Sequence, residues 1–250
     1  IEYGAAGFTQ GQGTTLTTTS TTSTITGLNP NTLYDVYVRS HCSATDISTW
    51  VATSFRTNCE VISTLPWTEN FDTYTTATTA ATGIQPYCWD YVMTGSATFQ
   101  ATSYRPQVYY STTYATSGNY SLRLYGNSYT MLPEFTASID SLQLEFWSRS
   151  TSTSYILTVG VMEDSVFVPV DTIDYTGTTA SEYHIVYLNS YHGNGNRIAF
   201  RNTYTTATTY YSYHYIDDIT VSYIPSCLPV QDITMDSVNK HLVVLDWSDL

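Results

Sequence analysis

HYIDDITVSY, His214–Tyr223, alternates polar and apolar residues with a period of two. Tyr215, Asp217, Ile219, Val221 and Tyr223 then share one side of a strand, and Ile216, Asp218, Thr220 and Ser222 the other, the pattern of a half-buried strand. This reading sets a carboxylate, Asp217, among apolar neighbours. An ionised carboxylate there costs several kcal/mol, on the order of 5, unless it is paired, hydrogen-bonded or bound to a cation. The most acidic counterpart is LPWTENFD, Leu65–Asp72. Pairing these two stretches side by side joins the first and last strands of one domain and gathers Glu69, Asp72, Asp217 and Asp218 at a single seam.

Composition supports an all-β chain. Only 12% of the 250 residues are charged and Lys240 is the single lysine, yet 42% are apolar, enough for a core. Thr, Tyr, Val and Ile favour strands, and no stretch of ten or more residues carries helical apolar spacing. The formal charge of -13 argues against nucleic acid and anionic membranes, which select basic patches, and suits divalent cations. No apolar run reaches the roughly 18 residues of a membrane span, so direct membrane insertion is not expected.

Residues 1–57 read as IEYG, GTTLTTT, TSTITGL, the turn NPNT, YDVYVRSHC and WVATSFRT. The block Thr26–Cys42 resembles the E–F corner of a fibronectin type III domain. The resemblance implies that Leu28 packs in the core, that Tyr34 is the corner tyrosine, and that Val36 and Val38 point inward. Residues 225–250 resemble the opening strands of another such domain, with Trp247 in its core.

Between them, 58–224 suits one sandwich: Leu142, Leu144 and Phe146 share a face, as do Leu157, Val159 and Val161. The order LPWTENFD, CWDY, TSGNYSLRLYG, LPEFTASIDSLQLEFWSRS and YIDDITV is similar to the MAM-like jelly rolls of Bacteroidetes surface proteins, the cleaved-adhesin and "choice-of-anchor J" modules. It implies an all-β jelly-roll sandwich flanked by incomplete type III sandwiches.

Cys42 and Cys59 lie on either side of a strand of about six residues, some 20 Å long, too far apart for a bond that needs Cα atoms within roughly 7 Å. In the repeats that 1–57 and 225–250 resemble, the cysteine opening strand A bonds the one ending strand F. The resemblance thus implies partners for Cys42 and Cys227 outside this stretch of chain and leaves Cys59 with Cys88; the rival pairing is Cys59 with Cys227. Disulfide use implies an exported, oxidising setting.

For Glu69, Asp72, Asp217 and Asp218 the expectation is a structural calcium site, since calcium takes six to eight oxygens; by the jelly-roll resemblance, Ser117–Asn119 adds ligands. The competing reading is that these acids cap turns and accept backbone N–H groups. The five histidines form no HExxH pair and no serine sits in GxSxG, so no enzyme is expected. The 24 tyrosines include a candidate ligand surface at Tyr109, Tyr110, Tyr210 and Tyr211, whose aromatic faces and hydroxyl edges suit sugars or proteins. The expected function is adhesion or ligand binding, secreted or at the cell surface, toward a host or neighbouring-cell protein or glycan. The alternative is a carbohydrate-binding accessory module of a secreted hydrolase or peptidase.

Overall fold

The computed structural model describes residues 1–74, 84–93, 105–126, 128–152, 155–175, 179–204, 213–228 and 231–248. The chain divides into two compact units, Ile1–Val61 and Ile62–Leu250.

In the first unit, β1 (Glu2–Ala5), β2 (Thr14–Thr15), β3 (Leu33–Val38) and β4 (Val51–Arg56) form one antiparallel sheet in the order β2-β1-β3-β4. The hydroxyl of Tyr34 accepts the N–H of Asn29 at 3.0 Å, bracing the turn that launches β3. Tyr34 and Val36 are buried as expected. Val38 is not: it is 45% exposed and its cross-strand partner Val51 is 71% exposed. The stretch TSTITGL, residues 22–28, forms no strand; its threonines and serines meet no neighbouring strand edge to bond.

The second unit is a sandwich of antiparallel strands: β5 (Trp67–Glu69), β6 (Asp90–Met93), β7 (Gln107–Tyr110), β8 (Tyr120–Tyr125), β9 (Ser128–Met131), β10 (Leu142–Ser150), β11 (Tyr155–Glu163), β12 (Val166–Asp174), β13 (Glu182–Tyr187), β14 (Arg197–Tyr204) and β15 (Tyr213–Tyr223). One sheet runs β13-β10-β15-β8-β7, with β5 also paired to β15; the other runs β12-β11-β14-β9-β6. This is the expected all-β jelly-roll sandwich. Period-2 alternation drives it: Leu142, Leu144 and Phe146 join Leu157, Val159, Val161 and Phe200 in one apolar core, each fully buried aliphatic side chain contributing about 1.5–3 kcal/mol. Trp67, Phe71, Trp89 and Phe135 close one end. Phe71 adopts a positive φ of 61°, a conformation uncommon outside glycine. It is held there by complete burial and by its N–H, which donates to Oε1 of Glu69 at 2.8 Å.

At the other end the interior turns polar. His214 is fully buried, and its Nδ1 lies 2.9 Å from Oδ1 of Asn202, an acceptor that makes Nδ1 the protonated nitrogen. The ring packs 4.9 Å from that of Tyr175, and burial alone pushes the His214 pKa down to about 3.

Residues β16 (Gln231–Val238) and β17 (Val243–Ser248) pair only with each other, as a two-stranded sheet. Trp247, read as a core residue of the domain that 225–250 would open, is 57% exposed among the described residues. Cys59 and Cys88 are disulfide-bonded, the pairing preferred over Cys59 with Cys227. Cys42 and Cys227 are exposed and free.

Candidate functional site

The first and last strands of the sandwich do lie side by side: Trp67, Thr68 and Glu69 stand opposite Val221, Thr220 and Ile219. The face assignment for β15 needs correction, however. Between Glu145 and Trp147 the register with β10 shifts, so that Asp218 and Ile219 together oppose Phe146. Asp218 has φ 48°, and this β-bulge reverses the alternation midway along the strand. Ile216 and Ile219 therefore both enter the core. Asp217 and Tyr215 are turned to the opposite face, where they are nonetheless buried, Asp217 to 1% exposure.

What covers Asp217 is the loop between β7 and β8. Its Oδ2 accepts the N–H groups of Thr116 at 2.7 Å and Ser117 at 3.1 Å, and its Oδ1 accepts the N–H of Asp218 at 2.9 Å. Ser117 Oγ donates to Oδ1 of Asp218 at 2.6 Å. Two residues on, the N–H of Asn119 donates to Oδ1 of Asp72 at 3.1 Å. Three acids from opposite ends of the domain thus converge on one four-residue loop, 116–119. Gly118 allows the approach: its φ is +51°, and a Cβ there would fall 1.9 Å from Oδ2 of Asp72. Burial pushes the Asp217 pKa up to about 7, opposed by the N–H groups it accepts and reinforced by the neighbouring Asp218 charge. Glu69, its pKa also raised by burial, turns its carboxylate back to its own turn at Phe71 and Tyr74. A shallow cleft of about 360 Å³ opens beside the seam, lined in part by Glu69, Thr73 and Asp218.

The donor chemistry suits a hard cation, being oxygen throughout. Several of those oxygens are already bonded to N–H and O–H donors. Among the described residues no three Asp, Glu, His or Cys side chains form a group placed to hold a metal ion.

Next to this seam the outer face of the β13-β10-β15-β8-β7 sheet is aromatic. Tyr114, from the covering loop, stacks on Tyr215 with centroids 4.2 Å apart and planes 12° apart. Arg149 lies 5.1 Å over Tyr114 and donates from Nη1 to the carbonyl of Thr113 at 2.9 Å. Arg123, buried between Leu122 and Leu124 in sequence but on the opposite face, sits 4.3 Å over Tyr109 and 5.0 Å over Tyr213. Such cation–π contacts gain strength from desolvation. Towards the β13 edge, Trp147 packs 5.5 Å from Tyr183, whose hydroxyl bonds Glu145.

Of the four candidate tyrosines, Tyr109 belongs to this face. Tyr110 is 45% exposed and packs against Tyr120 on the neighbouring strand; Tyr210 and Tyr211 lie outside the described residues. Sequence reasoning did not single out Tyr215, Arg123, Arg149 or Trp147. The alternation of β8 carried the signal for Arg123, a charge between two core leucines, whereas Tyr215 was hidden by the bulge.

No protein-family model matches the chain, and no curated protein does. Solved structures of similar shape include the K1 cleaved adhesin domain of Lys-gingipain from Porphyromonas gingivalis W83, at 15% identity and a TM-score of 0.45, covering 65% of this chain and 100% of that one. Another is a family 61 carbohydrate-binding module in complex with β-1,4-galactotriose, at 13% identity and TM-score 0.37, over 57% and 91% of the two chains. A third is the CBM22-1 xylan-binding domain of Xyn10C from Paenibacillus barcinonensis, at 10% identity and TM-score 0.35, over 64% and 95%.

Proposed function

We propose that this chain is a non-catalytic adhesion or ligand-binding module of a large exported bacterial surface protein, facing a protein or glycan on a host or neighbouring cell. The observation that supports it is the aromatic margin of the sheet's outer face, where Tyr109 and Trp147 are half-buried and Tyr183 is exposed around the buried Tyr215 and Arg123. Rigid aromatic rings with hydroxyl edges give contact area at low entropic cost, and Tyr109, Trp147 and Tyr183 are held on strands of the sheet. Export is consistent with the Cys59–Cys88 bond, since disulfides persist in oxidising compartments. Among the described residues no helix is long and apolar enough to cross a membrane.

Calcium is the ion we assign to the seam, in a structural role. Side-chain oxygens of Asp72 and Asp218 together with carbonyls of the 116–119 loop would hold it, while Asp217 keeps its backbone N–H donors and fixes the loop over β15. The second reading is a carbohydrate-binding accessory module, favoured by the stacked tyrosines beside Arg123 and Arg149. The deciding experiment pairs a glycan array with a cell-adhesion assay on the 250-residue chain. Micromolar binding to sugars, lost in Tyr109→Ala, supports the accessory module. Adhesion to cells or host proteins without sugar binding supports the first reading, and hydrolysis by the chain would overturn both.

A further inference from the structure

The connection between β13 and β14 carries HGNGN, His192–Asn196, and within it the single Asn-Gly step of the sequence, Asn194–Gly195. Asn-Gly is a turn dipeptide, and it has a chemistry of its own. Glycine has no Cβ to shield its backbone nitrogen, so that nitrogen can close on the asparagine side-chain amide. Asn194 is exposed. Its side-chain amide makes no hydrogen bond among the described residues, although its backbone N–H donates to Oε1 of Glu163 at 3.0 Å. The nucleophile is held more firmly. The N–H of Gly195 donates to the hydroxyl of Tyr191 at 2.6 Å, and that hydroxyl donates to Oε2 of Glu163 at 3.3 Å. Tyr191 itself is only 4% exposed.

We propose that Asn194–Gly195 is a site of slow, uncatalysed covalent modification, and that the Tyr191–Glu163 pair sets its rate. The Gly195 nitrogen attacks Cγ of Asn194, the new C–N bond closes a succinimide, and the side-chain nitrogen leaves as ammonia, taking up the proton that Gly195 gives up. Water then opens the ring at either carbonyl, leaving aspartate or isoaspartate. Ring closure requires the Gly195 N–H to leave Tyr191, so the fold restrains the step without forbidding it. The product fits badly. A Cβ at Gly193 would fall 2.3 Å from the Tyr191 hydroxyl oxygen, and one at Gly195 2.4 Å from the carbonyl oxygen of Met162, so the turn has no room for the extra backbone carbon of isoaspartate. Either product also sets a new carboxylate near Glu163, where like charges repel. Just beyond it, the carbonyl of Asn196 accepts the N–H of Phe135 at 3.0 Å. Displacing the turn therefore reaches the end of the sandwich that Phe135 helps to close. This inference stands independently of which ligand the outer face takes.

The test is incubation of the whole chain at mildly alkaline pH, native and urea-unfolded, read by peptide mass mapping and by isoaspartate-specific enzymatic methylation. The expected result is conversion at residue 194 in the native chain, slower than in the unfolded chain, and none there in Asn194→Gln. Tyr191→Phe removes the acceptor of the Gly195 N–H and should speed native conversion roughly fivefold, the factor that one neutral hydrogen bond carries. Hydrogen exchange of the Leu132 amide, which donates to the Ile198 carbonyl at 2.9 Å, checks that this variant keeps its sandwich; if it does not, the native and unfolded wild-type rates decide alone. Converted protein should lose exchange protection at the Phe135 amide. A native chain that stays unconverted while the unfolded chain converts overturns the proposal. So do equal rates in the native and unfolded chains, or an intact Tyr191→Phe that converts at the wild-type rate.

Discussion

Acidification should expose the cost of keeping His214 neutral. Burial lowers its pKa to about 3, against about 6.5 in an unfolded chain. The folded state therefore binds fewer protons than the unfolded state between these values, and stability falls as pH drops through that window. The slope approaches about 1.36 kcal/mol per pH unit once the unfolded imidazole is protonated, so moving from pH 6.5 to 4.5 removes about 2.3 kcal/mol. Asp217 acts with the opposite sign: its raised pKa, about 7, means the folded state holds that proton more tightly and gains stability over the same descent. The wild-type curve alone would mix the two. His214→Gln, which keeps a donor for Asn202, removes one titration and leaves the other. Urea unfolding of both proteins at pH 7.0, 5.5 and 4.5 should show the wild-type advantage shrinking by about 2.5 kcal/mol between the first and last pH. Parallel curves for the two proteins would refute the reasoning, since they would mean that the imidazole titrates alike folded and unfolded.

Calcium added at millimolar concentration after chelation should raise the melting temperature, because an ion bound only by the folded state stabilises by RT ln(1 + [L]/Kd); scanning calorimetry should show the rise abolished in Asp217→Ala. Gly118→Ala forces a side chain onto Asp72 at a positive φ, costing about 1–2 kcal/mol for the backbone alone. Thermal melting should fall by several degrees, and the amide of Asn119 should lose protection from hydrogen exchange. Replacing Cys88 with Ser opens a loop of about 30 residues and should cost about 3 kcal/mol, read as a lower urea midpoint with a steeper slope, because the freed unfolded chain exposes more surface.

The sequence by itself determined the features that follow from period and local turn chemistry. The alternation in Leu142–Ser150 and Tyr155–Glu163 selected the residues that reach the core. The spacing from Asn29 to Tyr34 set up a corner bond that closes within five residues. The match between LPWTENFD and YIDDITV was legible because both stretches are short, acidic and apolar on alternate positions. Tertiary structure decided the rest. Which side of β15 carries Asp217 depends on a bulge fixed by the pairing of β10 with β15, and a single extra residue inverts every position on one side of it. That Asp217 is buried at all depends on a loop about a hundred residues away in sequence folding over it. Val38 is an apolar residue on a well-formed strand, yet it remains 45% exposed. A strand's own sequence marks an apolar face, but only a second layer of structure can take that face out of water.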